Sequence, residues 1–377
     1  MRGFLEEILA FLTTTGYANL TVGHVIMIAF ALALIYLGVA KKYEPLLLVP
    51  IGFGCALANV PLGGMSDTHG LLYNIRHFLI DTEVLPILIF IGVGAMTDFG
   101  PMLARPLHAL LLGAAGQLGI FLVFLACLLI GYTPAEAAGI GIIGSADGPT
   151  IIYANTKLAP HLLGPVAASG YLYMAMVPII QPPLVYALTT AKERAAYMPP
   201  MIRKVSKLEK IIFTIVLVVV ASMLVPAATP LIGAIAVGNL FRESGVTERL
   251  ARTSENELMN ICTILVGLGV GGTLTAEVFL KPPVLLIFAL GVAGFAGGTV
   301  GGLLLGKLFY VISKGKYNPV IGVASVSAVP MTARVSQVIV SKANSRCYVL
   351  MHAMGPNIAG VIASALVAGY FITLLAP

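Results

Sequence analysis

Charge is what this sequence has least of. Asp, Glu, Lys and Arg together make up 10% of its 377 residues, against about a quarter in an ordinary soluble domain. With 58% hydrophobic residues and a mean hydropathy of +0.98, that scarcity excludes a soluble globular chain. It predicts an all-α polytopic membrane protein. Short alternating segments of the kind that build a β-barrel are missing as well. Cysteine is sparse and scattered: Cys55, Cys127, Cys262 and Cys347 form no CxxC and no metal spacing, so they read as buried apolar thiols. The histidines, His24, His69, His77, His108, His161 and His352, show no ligand spacing either, and no nucleophile triad is evident.

What fills the chain is apolar runs of spanning length: Val22–Ala40, Leu85–Met96 with its flanks, Leu107–Ile130, Ile211–Val225 with its flanks, and Pro283–Phe309. Each approaches or exceeds the roughly 20 residues that cross the hydrocarbon as a helix. Residues 1–21 hold Glu6 and Glu7, lack a basic start and a cleavage-like end, and are expected to form an interfacial segment rather than a signal peptide. The net charge of +6 does not point to nucleic acid, because the basic residues sit between spans, where orientation in a bilayer explains them.

The chain also repeats itself. Pro50 and Asn59 recur as Pro230 and Asn239, Gly92-Val93-Gly94 as Gly269-Val270-Gly271, and Pro106 as Pro283. Ile143-Gly144 recurs as Ile321-Gly322, and the Tyr173–Pro178 stretch as Met351–Pro356. Such ordered echoes predict two repeats, 22–191 and 211–377, joined by a basic linker, 192–210. Each repeat is expected to hold about five spans plus one broken or re-entrant segment. Five is an odd number, so the second repeat should be inverted, a common transporter construction. Lys41, Lys42 and the linker, which has six basic and two acidic residues, then share one side. That side should be cytoplasmic, with both termini outside.

Two polar, glycine-rich interruptions break the pattern, Gly144–Lys157 and Asn318–Arg334. The first carries Asp147 where lipid depth is expected. An ionisable group there costs several kcal/mol and is by default a functional hypothesis. One carboxylate with unwound carbonyls and hydroxyls suits a monovalent cation or a proton; a divalent site would normally hold more acids. The alternative for Asp147 is a helix cap. The repeat places Ser325 opposite Asp147, and the second interruption adds Asn318, Ser327 and Thr332, with Asn357 on the following span. Each is a neutral oxygen source that could equally be an interhelical hydrogen-bond partner. Arg334 offers a fork for a carboxylate, or it snorkels to the headgroups. Tyr173 could ligate the ion, relay a proton, or lie at the interface.

The segments GIIGSADGPTIIYANTKLAP, SGYLYMAMVPIIQPP, NPVIGVASVSAVPMTARVS and MHAMGPNIAGVIASA closely resemble the membrane β subunit of the sodium-pumping biotin-dependent decarboxylases, over essentially the whole chain. That resemblance implies a subunit that decarboxylates carboxybiotin presented by a partner, takes up a proton and exports Na+. It implies functional roles for Asp147, Tyr173, Asn318, Gly322, Ser327, Arg334 and Asn357, with Arg334, Asn318, Ser327 and Asn357 toward carboxybiotin. The same set without Arg334, together with Ser325, would serve Na+. It further implies a carboxyltransferase α subunit, a biotin carrier and a small single-span membrane subunit as partners, in an oligomeric complex of a prokaryotic inner membrane. The residues by themselves leave a stand-alone Na+/H+ or Na+/carboxylate carrier open. Co-purification of a biotinylated partner separates the two.

Overall fold

In a computed structural model, residues 10–199 and 203–376 are described. The expected N-terminal interfacial segment therefore lies partly outside the described residues, at 1–9, as does part of the linker, at 200–202. No strand occurs among the described residues. The main helices are α1 (Val22–Val39), α2 (Pro45–Ala58), α3 (Leu71–Ile75), α4 (Val84–Met96), α5 (Pro106–Gly116), α6 (Leu118–Ile130), α7 (Pro134–Gly141) and α8 (Gly148–Leu158). They continue as α9 (Leu163–Leu188), α10 (Lys207–Leu224), α11 (Thr229–Glu243), α12 (Glu248–Thr253), α13 (Met259–Gly271), α14 (Pro282–Ile312), α15 (Met331–Ala343) and α16 (Leu350–Leu375).

Five segments are long and apolar enough to cross a membrane: Val22–Val39, Pro106–Ile130, Pro160–Leu188, Pro282–Ile312 and Leu350–Leu375. A sixth arises if Leu71–Ile80 and Val84–Met96, bent by 66°, count as one span. The run expected at 211–225 folds as α10, with Lys207, Glu209 and Lys210 confined to its first turn. The apolar helix α2, Pro45–Ala58, is shorter than these spans. Start signals are chemical. Thr21 caps α1 together with His24, Thr133 caps α7 with Glu136, and Ser206 caps α10 with Glu209. In each, a hydroxyl takes an orphan N–H and the third helical residue returns the bond.

Contacts between the two halves come in matched pairs. Helix α4 packs on α11 and α13 on α2; α5 packs on α16 and α14 on α9; α8 packs on α16 and α15 on α9. Asn59 donates to Leu274 O at 2.7 Å and accepts from Ala276 N at 2.8 Å. Its counterpart Asn239 donates to Thr97 O at 2.8 Å and accepts from Thr214 Oγ1 at 2.8 Å. A π-helical turn precedes α4 at Arg76–Ile80 and recurs before α13 at Ser254–Leu258.

Both polar interruptions are hairpins. In the first, α7 runs into a 3-10 turn at Ile142–Ser145, Ala146 takes a left-handed conformation, and α8 returns. Asn155 on α8 donates to Gly139 O on α7 at 3.0 Å, which closes the two arms. Its base is pinned by Glu136 to His161 at 2.9 Å and by Lys157 to Glu83 at 2.7 Å. In the second, a 3-10 segment at Pro319–Ser325 is followed by α15, and Ser336 Oγ donates back to Val320 O at 3.2 Å. Its base is pinned to the linker: Asn318 donates to Arg194 O and Ala196 O, and Asn344 to Ala195 O. Helix α9, 26 residues long and so about 39 Å, runs from the base of the first hairpin to that linker. The two hairpins thus enter from opposite ends of the molecule. Their tips touch, the Ser327 N–H donating to Ser145 O at 3.0 Å.

Candidate functional site

At the first tip the chain leaves the helix because Gly144, Gly148 and Pro149 crowd into it, and a 3-10 turn is what such a short run can hold. Asp147 stands in extended conformation ahead of α8 and is 5% exposed. Its side chain makes no cap bond to the helix it precedes, although it occupies the N-cap position that favours one. Instead, Oδ2 accepts from Thr150 Oγ1 at 2.7 Å and from Ser364 Oγ of α16 at 2.8 Å. Charge-assisted bonds of this kind are the strong ones. Neither donor carries a compensating charge, and no basic side chain lies within 4 Å of Asp147 among the described residues.

Tyr171 closes this site from α9. A Cβ added at Gly148 would fall on its ring, so only glycine fits there. The Tyr171 hydroxyl is buried without a hydrogen-bond partner. Tyr173 faces elsewhere: its phenol donates to Phe288 O on α14, and its ring packs where Gly291 leaves room. Two residues apart on a helix, the tyrosines cannot share a face.

The second tip is richer in oxygen. Asn357 Nδ2 donates to Ala324 O at 3.0 Å, Val326 O at 2.9 Å and Thr332 Oγ1 at 2.9 Å. With its nitrogen so committed, Asn357 Oδ1 is left buried and unpartnered, as are Ser325 Oγ and Ser327 Oγ. Buried polar atoms are nearly always satisfied, so several orphans at one tip mark a place for a ligand or ordered water. On α16, Asn357, Gly360 and Ser364 follow one another along a single face, linking the second tip to Asp147. These residues lie 7 to 14 positions after Leu350 in a 26-residue helix, near its middle.

Not every expected residue gathers here. Asn318 sits at the hairpin base, both amide hydrogens holding the linker and its oxygen accepting from Val320 N. A seven-residue 3-10 segment separates it from the tip, about 14 Å at ~2 Å per residue. Gly322 packs directly on α14, where a Cβ would meet Gly302 O. Arg334 lies on α15 one turn past the tip and is exposed. Its guanidinium acts on Glu44, whose carboxyl is raised by burial, with Arg334 opposing that rise. Arg334 thereby shares a side with the Lys41–Lys42 loop. Thr150, Ser364 and Tyr171 complete the Asp147 surroundings. Thr150 follows Asp147 by three residues, a legible spacing, but nothing in the sequence ties it to Ser364.

The profile described as Na+-transporting oxaloacetate decarboxylase beta subunit matches residues 23–375. The chain is 50% identical to the methylmalonyl-CoA decarboxylase subunit beta of Veillonella parvula, over 100% of this chain and 99% of that protein. It is 47% identical to the glutaconyl-CoA decarboxylase subunit beta of Acidaminococcus fermentans, again over 100% and 99%. The oxaloacetate decarboxylase beta chain of Klebsiella pneumoniae is 45% identical over 98% of this chain and 99% of its own length. With its apolar helices and its touching hairpins, this multi-pass membrane protein belongs to the beta-subunit family of the Na+-transporting decarboxylases.

Proposed function

We propose that the two hairpin tips form the ion-exchange centre of a sodium pump, in which Asp147 holds Na+ in one state and a proton in the other. The observation that carries this reading is a buried carboxylate beside the middle of α16, accepting from two neutral hydroxyls and lying next to a tip with unpartnered oxygens. Asp147, Ser325, Ser327 and Asn357 are the cation-holding set. Tyr173, Asn318 and Gly322 serve it by fixing α9, the linker and α14 against the hairpins.

The work comes from a partner. Carboxybiotin on a carrier, charged by a carboxyltransferase α subunit, would enter from the linker side, where Arg334 would hold its carboxylate. Decarboxylation consumes a proton, and a dry pocket with a deliverable proton favours it. The proton that Asp147 releases as it takes up Na+ is the natural supply. A small single-span subunit and further copies of the chain complete the complex in a prokaryotic inner membrane. The units of the chain are repeat 22–191, linker 192–210 and repeat 211–377 behind the segment 1–21. Reciprocal Asn59 and Asn239 contacts and hairpins entering from opposite ends support an inverted relation between the repeats.

The test is Asp147→Asn in the assembled complex. Na+-dependent decarboxylation is expected to vanish while the subunits still co-purify with the biotinylated carrier. Wild-type coupled activity in that variant removes the proposal. Activity of the isolated chain as a Na+ carrier, with no carrier subunit bound, would favour the stand-alone transporter.

A further inference from the structure

Beyond the residues expected from the sequence, one side chain of the first half reaches α16 beside the second tip. Gln117 lies at the break between α5 and α6, is 2% exposed, and donates Nε2 to Gly113 O at 3.0 Å and to Gly360 O at 3.3 Å. Two carbonyl acceptors fix the amide orientation, since a flipped amide would set oxygen against oxygen. The carbonyl Oε1 therefore has a defined direction, and it is buried without a partner.

The neighbourhood is the orphan oxygens of the second tip. An added Cβ at Gly116 would stand 2.8 Å from Ser325 Oγ, and one at Gly360 would stand 3.5 Å from Ser327 Oγ. Gly116, the neighbour of Gln117, and Gly360, whose carbonyl Gln117 holds, both abut Ser325, so the unpartnered Gln117 Oε1, Ser325 Oγ, Ser327 Oγ and Asn357 Oδ1 belong to neighbouring residues drawn from three segments of the chain. Leaving even one such atom unmet is costly. Hard neutral oxygens suit an alkali cation, and the balancing charge is near: Asp147 meets Ser364, four residues beyond Gly360 on α16, or about 6 Å along its axis.

We infer that Gln117 supplies a side-chain ligand to the alkali-cation site at the second tip, a second one from the first half beside Asp147. The inference rests on the cation reading above. It adds a residue placed 30 positions before Asp147 that no polar motif marks.

The experiment uses the assembled decarboxylase complex. Gln117→Leu removes the oxygen and keeps bulk. The Na+ concentration for half-maximal decarboxylation is expected to rise about tenfold, by a larger factor than the maximal rate falls. The Li+-to-Na+ preference should change, and radiolabelled Na+ held by the complex without turnover should fall in parallel. Gln117→Asn withdraws the oxygen by one methylene and should move the same quantities in the same direction, by about threefold or more. An assembled Gln117→Leu complex with wild-type half-saturation, ion preference and Na+ retention overturns the inference, because a packing or water-holding glutamine would leave all of them unmoved. If Gln117→Leu does not assemble, unchanged values in Gln117→Asn overturn it instead. Asp147→Asn separates the two levels. If it abolishes Na+ dependence while the Gln117 variants stay wild-type, only the role of Gln117 falls; if it too keeps Na+ dependence, the site itself falls.

Discussion

Asp147 is tied to α16 through one serine, and the two nearby tyrosines divide their work. Tyr173 commits its hydroxyl to Phe288 O, whereas the Tyr171 hydroxyl beside Gly148 is committed to nothing. Tyr173→Phe should cost about 1 kcal/mol of stability, the usual worth of a hydrogen bond, seen as a lower unfolding midpoint. Tyr171→Phe loses no protein bond and should leave that midpoint unchanged while raising the Na+ requirement for turnover several-fold. Equal midpoints and equal Na+ requirements in the two variants would contradict this division. The polar residues themselves were legible in the sequence, because an acid, glycines and prolines inside an apolar run interrupt the helix and carry a desolvation cost. Their facing was not. Tyr171 and Tyr173 differ by two positions, and only the packing of α9 decides that Tyr171 meets Gly148 at the first tip while Tyr173 meets Gly291 of α14.

Each hairpin is an element whose ends are fixed more firmly than its tip. At the base of the first, Glu136 completes the cap of α7, and Thr133 with His161 holds its carboxyl below the ordinary carboxylate range. A carboxyl held low stabilises the fold above its ordinary value, and that contribution disappears as the pH falls through the lowered one. Glu136→Ala should therefore cost about 1 kcal/mol at neutral pH, measured by thermal unfolding in detergent, and markedly less in acid. A penalty independent of pH would assign Glu136 a packing role. Gly144, Gly148 and Pro149 made the break readable. The pairing of Lys157 with Glu83 was not readable, since 74 positions of chain separate two ordinary charges.

Across the whole molecule, the spaced glycines, prolines and asparagines on which the expected repeats rest lie on helices that contact one another in pairs between the two halves. Asn59 and Asn239 each hold a carbonyl of the opposite half. Span ends were less readable: the region before Val84 folds as a further helix bent by 66°, which apolar run length alone does not disclose. In the proposed inverted arrangement, Lys204 lies on the side from which the second hairpin enters. A cysteine introduced as Lys204→Cys should react with membrane-impermeant thiol reagents only from the cytoplasmic face, and labelling from outside would reverse the topology. The central claim, that one carboxylate at the touching tips exchanges Na+ for a proton, is met most directly by Na+ transport in proteoliposomes of the assembled complex. Wild type should accumulate Na+ during decarboxylation with proton consumption, and Asp147→Asn should transport none. Na+ accumulation by Asp147→Asn at the wild-type rate would contradict the account.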